Sequence, residues 1–166
     1  MAGELDFRRV PVDEGDGAAL VAAMIDEMGE LYDGLDLLSP TMPKAGAAEL
    51  GPPGGVFLVG YRDGEAVCGG GVKRSPASGR CPQPDGACEI KRMYVVPGAR
   101  GHGVARALLR ALEDAARGLG YDVARLDTGP RQPDARGLYE SEGYAPIGNF
   151  NGNPVATFFG EKRLNH

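Results

Sequence analysis

Two glycines, Gly101 and Gly103, flank a single histidine where an apolar stretch gives way to helical periodicity. The run Arg100-Gly101-His102-Gly103-Val104-Ala105 would open the helix that follows, and the first backbone N–H groups of a helix have no partner within it. Those donors, together with the positive end of the helix dipole, make a ready site for an anion. Glycine at 101 and 103 lets the anion approach the main chain with no Cβ in the way. The chemistry that suits this pattern is the binding of a phosphate or pyrophosphate. Cys68, Cys81 and Cys88 form an odd set without a C-x-x-C pair, and His102 and His166 are the only imidazoles. Zinc coordination, a disulfide framework and a Ser-His-Asp triad therefore find little support, and no metal is expected.

The elements that must position this loop follow from periodicity. Residues 5–11 read as a first strand. Leu20, Met24, Met28, Leu31 and Leu35 recur at helical spacing and predict a helix over 16–35. A stretch rich in Pro, Gly and Ala follows over 39–55, with room for a short helix near 44–50. Strands are expected at 56–61 and 66–73, joined by a turn whose Asp63-Gly64 pair is a hairpin signal. Gly69-Gly70-Gly71 inside the second of them suits a bulge or a close backbone approach. A polar loop over 75–86 leads to a strand at 88–96. Val104, Leu108, Leu112, Ala115 and Leu119 form one face of the next helix, with Arg106, Arg110, Glu113, Asp114 and Arg117 on the other. A strand at 123–128, a helix at 133–142 opened by Pro133 and closed by Gly143, and a last strand within 156–164 complete the chain. Hairpin strands that run into β-α-β units predict an α/β fold with a mixed sheet and helices on both faces.

The 166 residues fit one domain spanning 1–166. Eighteen Lys and Arg against 23 Asp and Glu give a net charge of −5, which argues against general nucleic-acid binding. No apolar run is long enough to cross a bilayer, so no membrane partner is expected. The charged, mixed first ten residues do not resemble a signal peptide, and a cytoplasmic location is the expectation.

Four segments in order carry a family resemblance. Arg100, Gly103 and Ala105 match the R/Q-x-x-G-x-G/A motif, and Glu89-Ile90-Lys91-Arg92-Met93-Tyr94-Val95 resembles the strand before it. The segment Ala135-Arg136-Gly137-Leu138-Tyr139-Glu140-Ser141-Glu142-Gly143-Tyr144 is similar to A-x-x-L-Y-E-x-x-G-F/Y, and residues 59–72 resemble a central hairpin. Together they look like the acetyl-CoA-binding core of the GNAT superfamily of N-acetyltransferases. Gln132 stands where many members carry Asn, three residues before Ala135, and also offers an amide for hydrogen bonding. The resemblance implies a central sheet of about six or seven strands, splayed between the fourth and fifth.

The resemblance also implies roles. Acetyl-CoA would be the co-substrate. The amides of Arg100, Gly101, His102, Gly103, Val104 and Ala105 would hold its pyrophosphate, with help from the Arg100 guanidinium. Met93, Tyr94 and Val95 would pair with its pantetheine arm as a strand does, and Gln132 and Ala135 would complete the cofactor contacts. A backbone N–H near Met93 to Val95 could support the developing oxyanion. Glu89 is the candidate general base, in competition with a water chain, because an alkylammonium with a pKa of about 10.4 must lose a proton before it attacks. Tyr139 is the candidate acid for the leaving thiolate. Lys91 and Arg92 read equally as substrate contacts or as strand-face charges; Glu89, Lys91 and Met93 should share a face unless a bulge intervenes. The leading reading is transfer of an acetyl group by direct attack in a ternary complex, with the primary amine of a small molecule as acceptor, ahead of a peptide or protein. A non-catalytic CoA-binding sensor or interaction module is the alternative. A nucleotide-binding protein is the third class, weakened by the lack of G-K-[ST] and of G-x-G-x-x-G at this loop. Residues 32–55 and 146–166 are expected to wall the acceptor pocket, and the resemblance leaves a homodimer open.

Overall fold

The computed structural model describes residues 4–40, 42–76 and 86–164; Cys81, His166 and most of the polar loop expected over 75–86 lie outside them. The element order is β1 (Asp6–Arg9), α1 (Gly15–Leu31), β2 (Val56–Arg62), β3 (Glu65–Arg74), β4 (Ala87–Val95), α2 (Val104–Gly118), β5 (Val123–Thr128), α3 (Pro133–Ser141), β6 (Ala145–Pro146) and β7 (Phe158–Arg163). One seven-stranded sheet runs in the order β1-β2-β3-β4-β5-β7-β6. Every neighbouring pair is antiparallel except β4 and β5, which run parallel. The β2–β3 hairpin turns through Asp63 at φ 52° and Gly64 at φ 80°, the two positive values that a tight twisted hairpin needs and that an Asp-Gly pair supplies.

Helices cover both faces. Val104, Leu108, Leu109, Leu112 and Ala116 of α2 are buried against Val72, Ile90, Ala124 and Leu126 of the sheet, and Tyr139 of α3 joins the same cluster. On the opposite face, Leu20 of α1 packs with Ala45, Leu50, Phe57 and Val59. The glycine triplet lies where both layers press closest. A Cβ at Gly70 would stand 2.9 Å from Leu112 Cδ1, and one at Gly71 would stand 2.7 Å from Leu50 Cδ2.

Three expectations are corrected. Helix α1 stops at Leu31, short of the expected 35, because Asp33 and Gly34 both turn left-handed at φ 54° and 91°. No helix forms near 44–50: the bonds from Glu49 N and Leu50 N to Gly46 O close a single turn, and Gly46 and Gly51 bracket it. Glu113 is not on the solvated face of α2. It is 3% exposed, accepts a hydrogen bond from Tyr144 Oη at 2.8 Å, and pairs with Lys162 Nζ at 3.0 Å. Arg110 pairs with Glu142, and Arg117 with Asp114.

Gly137 sits in the middle of α3 with no positive φ, and nothing lies within 4 Å of where an alanine methyl would project. Gly137→Ala should therefore stabilise the protein by about 0.5–1 kcal/mol, read as a raised denaturant midpoint. Gly55→Ala should do the reverse, because its Cβ would collide with the backbone oxygens of Glu49 and Val72.

Candidate active site

Strands β4 and β5 pair only at Ala87–Val123, Cys88–Ala124 and Glu89–Arg125, and then diverge. From Ile90 onward, β4 is paired with β3 alone, so its other edge is left open beside the end of β5. A bulge lies just past the fork. Gly69 pairs with Tyr94 and Gly71 with Lys91, which leaves Arg92 and Met93 opposite Gly70. Arg92 takes the left-handed conformation at φ 59°, costly for a residue with a Cβ. The extra residue breaks the alternation. Met93 packs with the α2 cluster, while Tyr94 joins the α1 side. Glu89 and Lys91 alternate with Ile90, which belongs to the α2 cluster, so they face the α1 side and part company with Met93.

Two cavities meet at the fork. The larger, about 450 Å³, is lined by Met93, Tyr94, Val95, Arg100, Gly101, Gly103, Val104, Ala105, Gln132, Ala135 and Tyr139, together with Arg106, Asp134 and Leu138. All the cofactor residues expected from the sequence are thus on its wall except His102, which is exposed. Gly103 is the N-cap of α2, no side chain caps the helix, and the first intrahelical bond is Ala107 N to Gly103 O. Gly101 and Gly103 have φ of 83° and 76°, and nothing lies within 4 Å of where their Cβ atoms would be. The Arg100 side chain is engaged elsewhere. It donates to Glu27 of α1 at 2.9 and 2.7 Å and to Val95 O at 2.9 Å, and lies over the Tyr94 ring. Its guanidinium ties the loop to α1.

The smaller cavity, about 120 Å³, has an apolar side made by Met24, Met28, Leu35, Leu37 and Met42 and a polar side made by Lys91, Arg92, Asp127, Thr128 and Asn153. Met93, Gln132 and Tyr139 line both cavities. Gln132 Oε1 accepts from Tyr32 Oη at 3.2 Å and from Gly129 N at 3.3 Å, which fastens the end of α1 over the β5–α3 loop. The Tyr139 hydroxyl faces Met93 Sδ at 3.8 Å. Burial first, then the charge of Asp127, pushes its phenol well above the ordinary tyrosine value, so it stays protonated through the neutral range.

Glu89 lines neither cavity. It is fully buried, with Lys73 Nζ at 3.6 Å, Lys91 Nζ at 3.2 Å and Asn151 Nδ2 at 2.7 Å. The carboxylate on the cavity wall is Asp127, which accepts from Asn151 Nδ2 at 2.7 Å and Asn153 Nδ2 at 3.0 Å and pairs with Lys91 at 3.4 Å. Burial works against the Lys91 charge, but Glu89 and Asp127 outweigh it and hold its pKa above the usual lysine value. Asn149, Asn151 and Asn153 each use Oδ1 to accept a backbone N–H two residues on, the Asx-turn habit. Their side-chain amides are left to donate, and two of them do so into this network. Asp127, Thr128, Asn151 and Asn153 were not singled out from sequence; the alternating asparagines were the available signal. Cys68 and Cys88 are buried, which pushes their thiols up to about 11 and about 12. Neither thiol is a nucleophile at neutral pH. Among the described residues, no helix is long and apolar enough to cross a membrane.

Residues 30–144 match the sequence model of the Acetyltransferase (GNAT) family. An IAA acetyltransferase of Azospirillum brasilense is 36% identical over 111 residues, 65% of this chain and 67% of that protein. A Klebsiella pneumoniae protein assigned to the acyl-CoA N-acyltransferases has 28% identity and a TM-score of 0.73, over 97% of this chain and 98% of its own. The PaiA N-acetyltransferase of Thermoplasma acidophilum, solved in complex with coenzyme A, shares the fold with a TM-score of 0.64 at 14% identity, over 96% of this chain and 99% of that one. Fold and sequence together define an acetyltransferase. The chain belongs to the GNAT family.

Removing the Glu89 carboxylate should leave the buried Lys73 ammonium without its carboxylate and Lys91 with Asp127 alone. Glu89→Ala is expected to cost about 3–5 kcal/mol of stability, measured by urea unfolding, and Glu89→Gln less, because it keeps the volume and a hydrogen-bonding group.

Proposed function

We propose that this protein is an acetyl-CoA-dependent N-acetyltransferase that acetylates the primary amine of a small molecule by direct attack. The observation that carries this reading is the meeting of the two cavities at Met93, Gln132 and Tyr139. The larger cavity suits coenzyme A on three counts. The α2 N-terminus is uncapped, the Cβ directions of Gly101 and Gly103 are open, and the edge of β4 beyond Glu89 has no strand partner on the β5 side. When bound, acetyl-CoA supplies the acetyl thioester.

The chain's own residues do the rest. The amides from Arg100 to Ala105 hold the pyrophosphate, and the open edge from Met93 to Val95 aligns the arm. A backbone N–H on that edge donates to the acetyl oxygen as negative charge develops there. Asp127 meets the acceptor ammonium, held in place by Asn151 and Asn153, and the ammonium proton leaves by it. Glu89 acts as a positioning residue behind Asp127, through Asn151 and Lys91. The amine nitrogen bonds to the acetyl carbon as the carbon–sulfur bond breaks, and the second proton shed by the new amide nitrogen goes to the sulfur, which leaves as the thiol. Tyr139 donates its hydroxyl proton in a hydrogen bond to the departing sulfur, which stabilises a thiolate whose own pKa is about 8.5.

Calorimetry with acetyl-CoA, followed by thiol release over a panel of amines, tests the proposal. Binding with turnover is expected; binding with no turnover would leave a CoA-binding module, and no binding would end the reading. Gly103→Val should abolish binding, because a β-branched residue at φ 76° both strains the loop and fills the cradle. Circular dichroism should show the fold retained. Tyr139→Phe should lower kcat by roughly 10- to 100-fold with a smaller change in acetyl-CoA affinity. Because its pKa is raised, ionisation of Tyr139 should not depress kcat at any pH up to about 10.

A further inference from the structure

The polar wall of the smaller cavity carries an uneven charge. Lys73 and Lys91 are both paired with Glu89, and Lys91 also with Asp127. Arg92 adds a third cation against those two carboxylates, and it makes no hydrogen bond or ion pair among the described residues. Its Nε is buried without a partner, and so is the hydroxyl of Thr128, a residue only 5% exposed on the same cavity wall. Arg92 is held there by the bulge, in a left-handed conformation that a non-glycine residue adopts at a cost. A buried polar group left unpaired is itself costly, and here two residues of one cavity wall each carry one, so this wall is short of a partner group.

We infer that the acceptor carries a carboxylate beside its amine and that Arg92 receives it: the substrate is an amino acid with an apolar substituent. This rests on the N-acetyltransferase reading above and names the substrate class of that site. Arg92 offers a planar fork suited to a carboxylate, and Thr128 a further donor. Asp127 supplies the opposite charge for the ammonium. Met24, Met28, Leu35 and Met42 give the third corner an apolar surface, and a space of about 120 Å³ is of the order that holds a benzene-sized group. Burial pulls the Arg92 pKa below its usual value, with Asp127 and Glu89 opposing, so a bound carboxylate would relieve an unfavourable desolvation.

The experiment pairs each amino acid with the amine that lacks only its carboxylate: leucine with 3-methylbutylamine, methionine with 3-(methylthio)propylamine, phenylalanine with phenethylamine. The ratio of kcat/KM within each pair is read by thiol release in the wild type, in Arg92→Asn and in Arg92→Lys. Asparagine tolerates the left-handed backbone, and acetyl-CoA affinity reports whether each variant is folded. The wild type should favour at least one amino acid by about 100-fold, Arg92→Asn should collapse that ratio to within about threefold, and Arg92→Lys should restore part of it. Turnover of the bare amines at equal or higher rates, or a ratio that survives in Arg92→Asn, would overturn the inference and leave the enzyme standing. Should the variants not fold, the wild-type ratio alone decides. Thiol release from none of the amines, with acetyl-CoA bound, would remove the N-acetyltransferase reading and this inference with it.

Discussion

The parallel contact between β4 and β5 lasts for three residue pairs, and the rest of the molecule is arranged around where it stops. A strand that loses its neighbour leaves backbone donors and acceptors unpaired, which a dry interior does not tolerate. Here the open edge becomes the wall of a cavity, so β4 beyond Glu89 borders open space instead of a second strand. Glu89 marks the apex. It is the last residue of β4 paired with β5, and its buried carboxylate collects Lys73 from β3, Lys91 from β4 and Asn151 from the segment before β7. Charges from separate elements are pinned at the point from which the strands diverge.

The bulge at Arg92 is the second half of the same device. Without it, Met93 would lie on the face of Glu89 and Lys91, and the α2 cluster would lose a member. With it, one strand sends polar groups to the acceptor side, keeps Met93 on both cavity walls, and aims Arg92 at a place no regular strand would reach. The glycine triplet of β3 makes this feasible, since Gly70 faces the two residues of the bulge and has no side chain to obstruct them.

Much of this was legible in the sequence, because it depends on local chemistry. The Asp63-Gly64 turn, the glycines that open α2, the apolar face of that helix, and Pro133 and Gly143 at the ends of α3 each announce themselves through spacing or backbone demands, whereas Tyr139 stands out through the family resemblance of its segment. The phase of β4 was not legible. Alternation places Glu89 and Met93 together, and only pairing with the glycines of β3 shows the extra residue. Nor could local pattern tell that Glu113 and Glu89 are buried, since both depend on lysines distant in the chain. Asp127, Asn151 and Asn153 escaped notice for the same reason: their partners come from other elements, and an Asn-rich loop reads first as a turn.

Helix α1 touches both halves of the site. Its Glu27 grips Arg100 of the loop that opens α2, and its end is fastened to Gln132 and Arg131 through Tyr32, while Met24 and Met28 line the smaller cavity. A displacement of α1 at one cavity would therefore be felt at the loop beside the other. Linkage of this kind is reciprocal: whatever free energy the occupant of one cavity contributes to its neighbour's affinity, it receives back in full. In the proposed enzyme, α1 is the element through which co-substrate and acceptor would be coupled, and its rigidity would set how strongly the two equilibria are joined.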